Sequence, residues 1–256
     1  MIISTQNPKV KFVRRLQAEK RFRRREAAFV VEGTRWLNEL VNQAHPLQIV
    51  FYTEDWLQNA NHADILQQVQ TPVQVVGDAV MAVMSDTETP SGVLSVSNIS
   101  PMPLPKQPNF LLILDSVTTP GNLGTMLRSA TAAGADGVLL TPGCVDAYNP
   151  KVLRGSMGAH LRLPVHELSW EDIREITEEM VVWITAVTHA TDYTTINWNA
   201  PSAIIIGNEA RGVGEQAVGL ANGRLTIPMH NDTESLNAAT AAAIVLFEAA
   251  RQRRNQ

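Results

Sequence analysis

The chain has 256 residues, 45% hydrophobic and 18% charged, with a formal net charge of −4. That length and balance suit one large or two ordinary globular domains and exclude a disordered chain. A single cysteine, Cys144, excludes an intramolecular disulfide framework and a cysteine-rich zinc site, and no apolar run reaches the ~20 residues a membrane helix needs. The N-terminal stretch has no apolar signal segment and turns basic, so the expectation is a cytoplasmic protein that needs no membrane.

In chain order, the first feature is a block of cations. Lys9, Lys11, Arg14, Arg15, Lys20, Arg21, Arg23, Arg24 and Arg25 crowd the start, and Glu19 is the only acid before Glu26. Such a block can meet a polyanion, a phosphate backbone above all, or stand as a solvated helix face. The acidic net charge favours a local footprint over coating by the whole surface. Val10, Phe12, Val13, Leu16 and Ala18 supply apolar positions for one helix over Asn7 to about Arg25. A strand follows at Ala28–Val31, then a helix opened by Gly33 and capped by Thr34. Leu47–Tyr52 reads as a strand, Asp55–Gln68 as mostly helix, Val73–Val76 as a strand, Asp78–Ser85 as a short helix and Val93–Ser97 as a strand. Residues 1–99 thus read as one α/β domain.

The run Ser100-Pro-Met-Pro-Leu-Pro-Lys-Gln-Pro108 excludes helix and central strand, so residues 100–108 read as a semi-rigid linker. Residues 109–256 form the second domain. Its expected strands are Phe110–Leu114, Gly137–Leu140, Arg162–Val165, Val182–Val187, Ala203–Ile206 and Gly223–Ile227. Its expected helices are Leu123–Ala133, Pro150–Met157, Trp170–Met180, Glu215–Leu220 and Ser235–Arg251. Strands alternating with helices predict a mainly parallel sheet covered on both faces. Cys144 falls in the loop Thr141-Pro-Gly-Cys144, and it reads as a bland cysteine before a reactive one.

Three short motifs each follow an apolar run, at the sheet edge where open α/β folds bind ligands. They are Asn122-Leu-Gly124-Thr-Met-Leu-Arg128, Ile206-Gly-Asn-Glu209-Ala-Arg-Gly212, and Ile227-Pro-Met229 running on to Ser235-Leu-Asn237. Gly121 and Gly124 are wrongly spaced for a dinucleotide fingerprint, and the next strand ends Leu139-Leu-Thr141-Pro142, without an acid to hold a ribose. Taken alone, Arg128 reads as a surface arginine and Glu209 as a charge at a helix N-terminus.

Together the motifs resemble those of the SpoU (TrmH) family of RNA 2′-O-ribose methyltransferases, of the SPOUT superfamily. Asp146 to Gly158 is also similar to the family's intermotif segment. Arg14–Arg25 followed by Phe29-Val-Val-Glu32-Gly33 resembles the L30e-like substrate-binding domain that precedes many catalytic domains of this kind. The resemblance covers Phe110 to Arg251 with that N-terminal domain. Departures are Ala210 where glycine is frequent, Gly214-Glu-Gln in place of a serine-led turn, and Ala238-Ala-Thr240 after Asn237.

The resemblance implies a deep trefoil knot, which knot-averse topology rules could not propose. It implies S-adenosylmethionine as methyl donor, a ribose 2′-hydroxyl as acceptor, and a homodimer built through the knotted region and final helix. Catalytic roles would fall to Arg128, Asn122, Glu209, Ser235 and Asn237. Arginine keeps its proton in proteins, so Arg128 would act as a cation beside the 2′-oxygen or its phosphate, not as a base. Asn122, Ser235 and Asn237 would orient it or the ribose, and Glu209 would pair with Arg128 or a backbone donor. Thr188, His189, Gly207, Asn208, Ile227, Met229 and Leu236 would wrap the cofactor. Arg14, Arg15, Arg21, Arg23, Arg24 and Arg25 would bind RNA, ribosomal RNA ahead of transfer RNA. No histidine sits at metal-ligand spacing, so no metal is expected. The rivals are a non-catalytic RNA-binding factor on the same fold and a dinucleotide oxidoreductase.

Overall fold

Residues 1–231 and 234–254 are described by the computed structural model, in which the basic N-terminal run forms two helices, not one. Helix α1 (Pro8–Ala18) starts at Asn7, whose side chain accepts the Lys9 amide at 2.9 Å, with Pro8 in the first turn. It ends because Glu19 is extended, at φ −112° and ψ 109°, and α2 (Lys20–Glu26) begins anew. The break is held from below by Arg23. Its Nη1 donates to the carbonyls of Leu16 at 2.6 Å and Gln17 at 2.9 Å. These belong to the last turn of α1, where carbonyls lack helical partners. Arg23 is only 3% exposed. Its expected place among the RNA-binding arginines is therefore corrected: it is a clasp between two helices.

The strands β1 (Ala28–Glu32), β2 (Leu47–Tyr52), β3 (Val73–Val75) and β4 (Val93–Asn98) form a sheet in the order β1-β4-β2-β3. The first two pairings are antiparallel and the β2–β3 pairing is parallel. Alternation along β1 sends Ala28 and Val30 to a core shared with α1, α2 and Met81 and Met84 of α6 (Asp78–Met84). Phe29 and Val31 face the other way, against Trp36 and Leu40 of α3 (Thr34–Asn42). The helical stretch expected over 55–68 is split into α4 (Glu54–Leu57) and α5 (Ala60–Gln68). Thr34 is not a cap: Gly33 takes that place, and the Thr34 hydroxyl accepts Trp56 Nε1–H at 2.8 Å.

The second unit opens at Pro101, and the proline-rich stretch is not a free spacer. Leu104 packs against its core, and the Met102 carbonyl is hydrogen-bonded to the His166 ring at 2.8 Å. Strand β5 (Phe110–Leu114) leads to α7 (Pro120–Ala133) and β6 (Gly137–Leu140). The chain then makes an excursion. Residues Tyr148–Leu161, with α8 (Pro150–Ser156) and the 3-10 turn Ala159–Leu161, belong to the first unit. Tyr148 lies 5.1 Å from the Phe29 ring, Leu153 and Leu161 join the cluster of Phe29, Val31 and Trp36, and Arg154 pairs with Asp86. Residues 148–161 thus interrupt the second unit in space, where those apolar side chains are buried in the first.

After the return come β7 (Val165–Glu167), α9 (Trp170–Ile176), β8 (Val181–Thr185), β9 (Thr191–Asp192), β10 (Ser202–Ile206), α10 (Glu215–Leu220), β11 (Gly223–Thr226) and α11 (Ala238–Arg253). The strand β7 starts later than expected because the 3-10 turn and Pro164 precede it; a proline opens a strand without a ladder donor. Helix α11 starts at Ala238, not Ser235, because the Asn237 side chain accepts the amides of Ala239 and Thr240 and so caps it. The seven strands run β7-β6-β5-β10-β8-β11-β9, every pairing parallel. Leu111, Ile113, Ala203 and Ile205 meet α9 and α10 on one face. The alternate residues Phe110, Leu112 and Ile204 are equally buried, and Arg253 of α11 lies 4.6 Å over the Phe110 ring. Helix α11 packs on α7. Cys144 is buried, its thiol donating to the Leu114 carbonyl at 3.1 Å, and burial pushes its pKa up, which suits an inert role.

Replacing Arg23 by Met removes both buried hydrogen bonds and strands two carbonyls. Urea unfolding should show a loss of about 2 kcal/mol, while Arg21→Ala, on the exposed face, should stay within about 0.5 kcal/mol of the parent.

Candidate active site

The strands β5, β10, β8 and β11 end side by side, and a parallel sheet opens its ligand crevice at that carboxyl edge. A cleft of about 370 Å³ lies there. It is lined by Thr185–Val187 after β8, Ile206–Ala210 and Gly212 after β10, Leu225–Ile227 and Met229 after β11, and Glu234–Leu236, Ala238 and Ala241 at the start of α11. Its size is that of ordinary cofactor pockets. Asp232 and Thr233, inside the third motif's stretch, lie outside the described residues.

The floor is shaped by backbone. Asn208 and Gly212 pair as a small antiparallel bridge, with N···O distances of 2.9 and 2.8 Å. The bridge brings the Gly212 carbonyl carbon so close that a Cβ on Gly207 would meet it at 2.2 Å. Gly212 closes the turn at φ +68°, a conformation few residues tolerate. The Asn208 side chain completes the loop: its amide donates to Ser116 O at 2.8 Å, and its oxygen accepts the amides of Ala210 and Arg211. From below, buried Asp115 accepts Gly214 N–H at 2.6 Å. The second motif is thereby tied to the end of β5.

Glu209 joins the second motif to the first. Its carboxylate accepts the amides of Thr118 at 3.3 Å and Thr119 at 3.1 Å, and the Asn122 side-chain amide at 2.9 Å. Thr119 is the N-cap of α7, so the carboxylate sits where the helix dipole favours an anion. Partial burial works against its ionised form, yet the hydrogen bonds from Asn122 and the two threonines hold its pKa down at about 2. Because that value is depressed, its contribution to stability is complete above the unfolded value of 4.5 and fades only as pH falls toward 2. A carboxylate so acidic does not take up protons near neutrality. It is an anchor, not a base.

Asn122 continues the chain. Its oxygen accepts the Asn237 amide at 3.1 Å, and Asn237 is the cap of α11. The three motifs thus form one line: Glu209, Asn122, Asn237, helix α11. Arg128 lies farther along α7, exposed on the ridge that also shows Gly121 and Thr125, and makes no hydrogen bond or ion pair among the described residues.

Of the residues expected to hold cofactor, Gly207, Asn208, Ile227, Met229 and Leu236 line the cleft, as do Glu209 and Ser235. Thr188 and His189 are not among the lining residues: the β8 loop contributes Thr185, Ala186 and Val187. That expectation is corrected by about one residue pair, because β8 ends at Thr185 and not Val187. Sequence reasoning missed Asp115, Thr118, Thr119 and Glu234. An acid directly after the all-apolar Phe110–Leu114 run was the available signal for Asp115.

In the first unit, Arg14, Arg21 and Arg24 are exposed. Arg15 is paired with Glu19 through two 3.0 Å bonds and stacks 4.0 Å over Phe22; Arg25 pairs with Glu26 and lies 4.7 Å from the same ring. Exposed pairs of this kind are weak and screened by salt. No cluster of three metal-ligating side chains occurs among the described residues.

Gly207→Ala should break the 208–212 bridge. Titration calorimetry with S-adenosylmethionine is expected to show at least about tenfold weaker binding, whereas Gly219→Ala, where a Cβ meets open space, leaves affinity unchanged.

The geometry agrees with what known proteins show. The profile of the SpoU rRNA Methylase family matches residues 109–247, and that of the MRM3-like substrate binding domain matches residues 7–95. An uncharacterized tRNA/rRNA methyltransferase of Synechocystis is 34% identical, across 98% of this chain and 93% of its own. The 23S rRNA (guanosine(2553)-2′-O)-methyltransferase RlmP of Bacillus subtilis is 32% identical, across 96% of this chain and 97% of its own. The crystal structure of the SpoU methyltransferase AviRb from Streptomyces viridochromogenes, in complex with the cofactor AdoMet, superposes with a TM-score of 0.88 at 27% identity, over 97% of this chain and 99% of that one. With its motifs meeting at one sheet edge, the chain belongs to the SpoU rRNA methylase family.

Proposed function

We propose that the protein transfers a methyl group from S-adenosylmethionine to a ribose 2′-hydroxyl of ribosomal RNA. The observation that carries this reading is the line of hydrogen bonds Glu209–Asn122–Asn237, which brings all three motifs to the rim of one cofactor-sized cleft. The cleft fits the donor. Ile206, Leu225, Ile227, Met229 and Leu236 offer apolar walls, and three strand ends offer backbone groups, as a nucleoside requires. S-adenosylmethionine supplies an electrophilic methyl group and leaves as a neutral thioether.

The protein's own task is then positioning and electrostatics. A ribose hydroxyl is a weak nucleophile: its proton must pass to solvent or an RNA phosphate as the methyl arrives, and charge developing on its oxygen must be stabilised. Arg128, exposed and without an anionic partner among the described residues, is the cation for that oxygen or the neighbouring phosphate. Asn122 and Asn237 fix the start of α7 against α11 and so set the angle from which Arg128 projects. Glu209, saturated by hydrogen bonds, leaves the guanidinium free for RNA. Ser235, exposed at the rim, supplies a hydroxyl near the ribose.

Ribosomal RNA is favoured because relatives of nearly full length are named as 23S rRNA methyltransferases, and the first unit matches the MRM3-like substrate binding domain. Transfer RNA is the alternative substrate. The four-stranded first unit, with helices on both sheet faces, supports an L30e-like domain that grips RNA through Arg14, Arg15, Arg21, Arg24 and Arg25. A trefoil knot is supported by the strand order: β10 lies between β5 and β8, and the chain beyond β11 returns to lay α11 on α7. A homodimer is supported by α11, where Ala243, Ile244 and Phe247 share one outer stripe and Phe247 is 45% exposed.

Incubation with labelled donor and total RNA should place label on ribose in the large rRNA; label confined to tRNA would select the alternative. Arg128→Ala should lower turnover by at least about 10²-fold while the affinity for S-adenosylmethionine changes less than about threefold. Phe247→Asp should convert the species seen by sedimentation from dimer to monomer; a parent that already sediments as a monomer removes the dimer reading.

A further inference from the structure

The cleft has a one-sided charge. Among the described residues that line it, Glu209 and Glu234 alone carry charge, and both are carboxylates. They enter from separate loops, one after β10 and one ahead of α11. Every other lining side chain among the described residues is apolar or neutral. Glu209 stays ionised, with its pKa held at about 2. Glu234 is exposed and has no hydrogen bond or ion pair among the described residues.

A cleft needing only shape would not require this. The donor and the spent cofactor of a sulfonium methyl transfer have nearly the same shape. They differ by one methyl group and one positive charge: the sulfonium donor has net charge +1 at neutral pH, and its thioether product has none. Apolar contacts separate a single methyl group weakly. Glu209 and Glu234 are both exposed at the cleft, and such carboxylates act on the charge itself, weakly through solvent but at a range over which Coulomb energy is still felt at low salt. We infer that Glu209 and Glu234 make the cleft select its ligand by charge, favouring the sulfonium donor over the neutral thioether product and so opposing product inhibition. The inference rests on the methyltransferase reading above and names the residues that set its ligand preference.

Glu234 is the informative position, because Glu209 also anchors α7. Calorimetric dissociation constants for the full-length protein and Glu234→Gln would be measured with three probes. These are S-adenosylmethionine, S-adenosylhomocysteine, and the amine analogue in which an ammonium group stands in place of the methylsulfonium. Glu234→Gln should weaken both cationic probes by roughly three- to tenfold and leave S-adenosylhomocysteine within about twofold, the range expected of one partly solvated charge. Added Glu209→Gln should reduce the remaining preference further. The difference between cationic and neutral probes should shrink as salt is raised from about 0.05 to 0.5 M. Equal weakening of all three probes, or none, overturns the inference and leaves the methyltransferase reading standing. Failure of the unaltered protein to bind any of the three would instead overturn that reading.

Discussion

A single side-chain amide holds the catalytic unit's working edge together. Asn122 donates to Glu209 and accepts from Asn237, and these residues stand 87 and 115 positions away in the chain. The amide group suits the place because it offers a donor and an acceptor at once. Aspartate there would face the Glu209 carboxylate with a second negative charge, and leucine would leave both partners short of a hydrogen bond. The two partners of Asn122 each secure a helix start. Glu209 serves the N-terminus of α7, and Asn237 caps α11. Joining two helix caps through one amide couples the packing of α7 on α11 to the shape of the loop over the cleft. A small displacement at any of the three is felt at the others.

This explains why the site was legible only in part. Asn122, Glu209 and Asn237 were legible through the resemblance of their motifs to those of the family. The partner of Glu209 was not readable. The resemblance left Arg128 or a backbone donor open, and the helix start resolved it, since two backbone amides, the Thr118 hydroxyl and the Asn122 side-chain amide occupy the carboxylate. Thr188 and His189 were misplaced for another reason. The apolar run Val181–Val187 gives no sign of where pairing with β10 and β11 stops, and the strand ends at Thr185. Strand ends are set by neighbours, which periodicity does not see.

The first unit teaches the opposite lesson. Its strands follow apolar runs closely, since both sheet faces are buried and alternation is strong. Its cations looked alike in sequence but are not. Arg14 and Arg21 face solvent, whereas Arg23 lies beneath the break between α1 and α2 and feeds two carbonyls. A seven-residue separation between Arg23 and Leu16 would read as one helical face if the helix were continuous, and nothing before Glu19 announces that it stops. The segment Tyr148–Leu161 was equally opaque. Its resemblance was to a catalytic-domain segment, yet Tyr148, Leu153 and Leu161 find their apolar partners in Phe29, Val31 and Trp36. Chain order and burial disagree here, and burial decides the packing.

Charge is also divided by task within the catalytic unit. The cleft carries carboxylates, one of them held ionised by four donors, while Arg128 stands outside on the exposed ridge of α7. If Glu209 were the partner of Arg128, each would neutralise the other, and neither a cationic ligand nor a phosphate would find an unspent charge. Backbone amides at the start of α7 avoid this: they stabilise Glu209 without cancelling its charge. The arrangement depends on the helix start being where it is, and that start depends on Asn122 and Asn237. The hydrogen-bond line and the separation of charge are therefore one device.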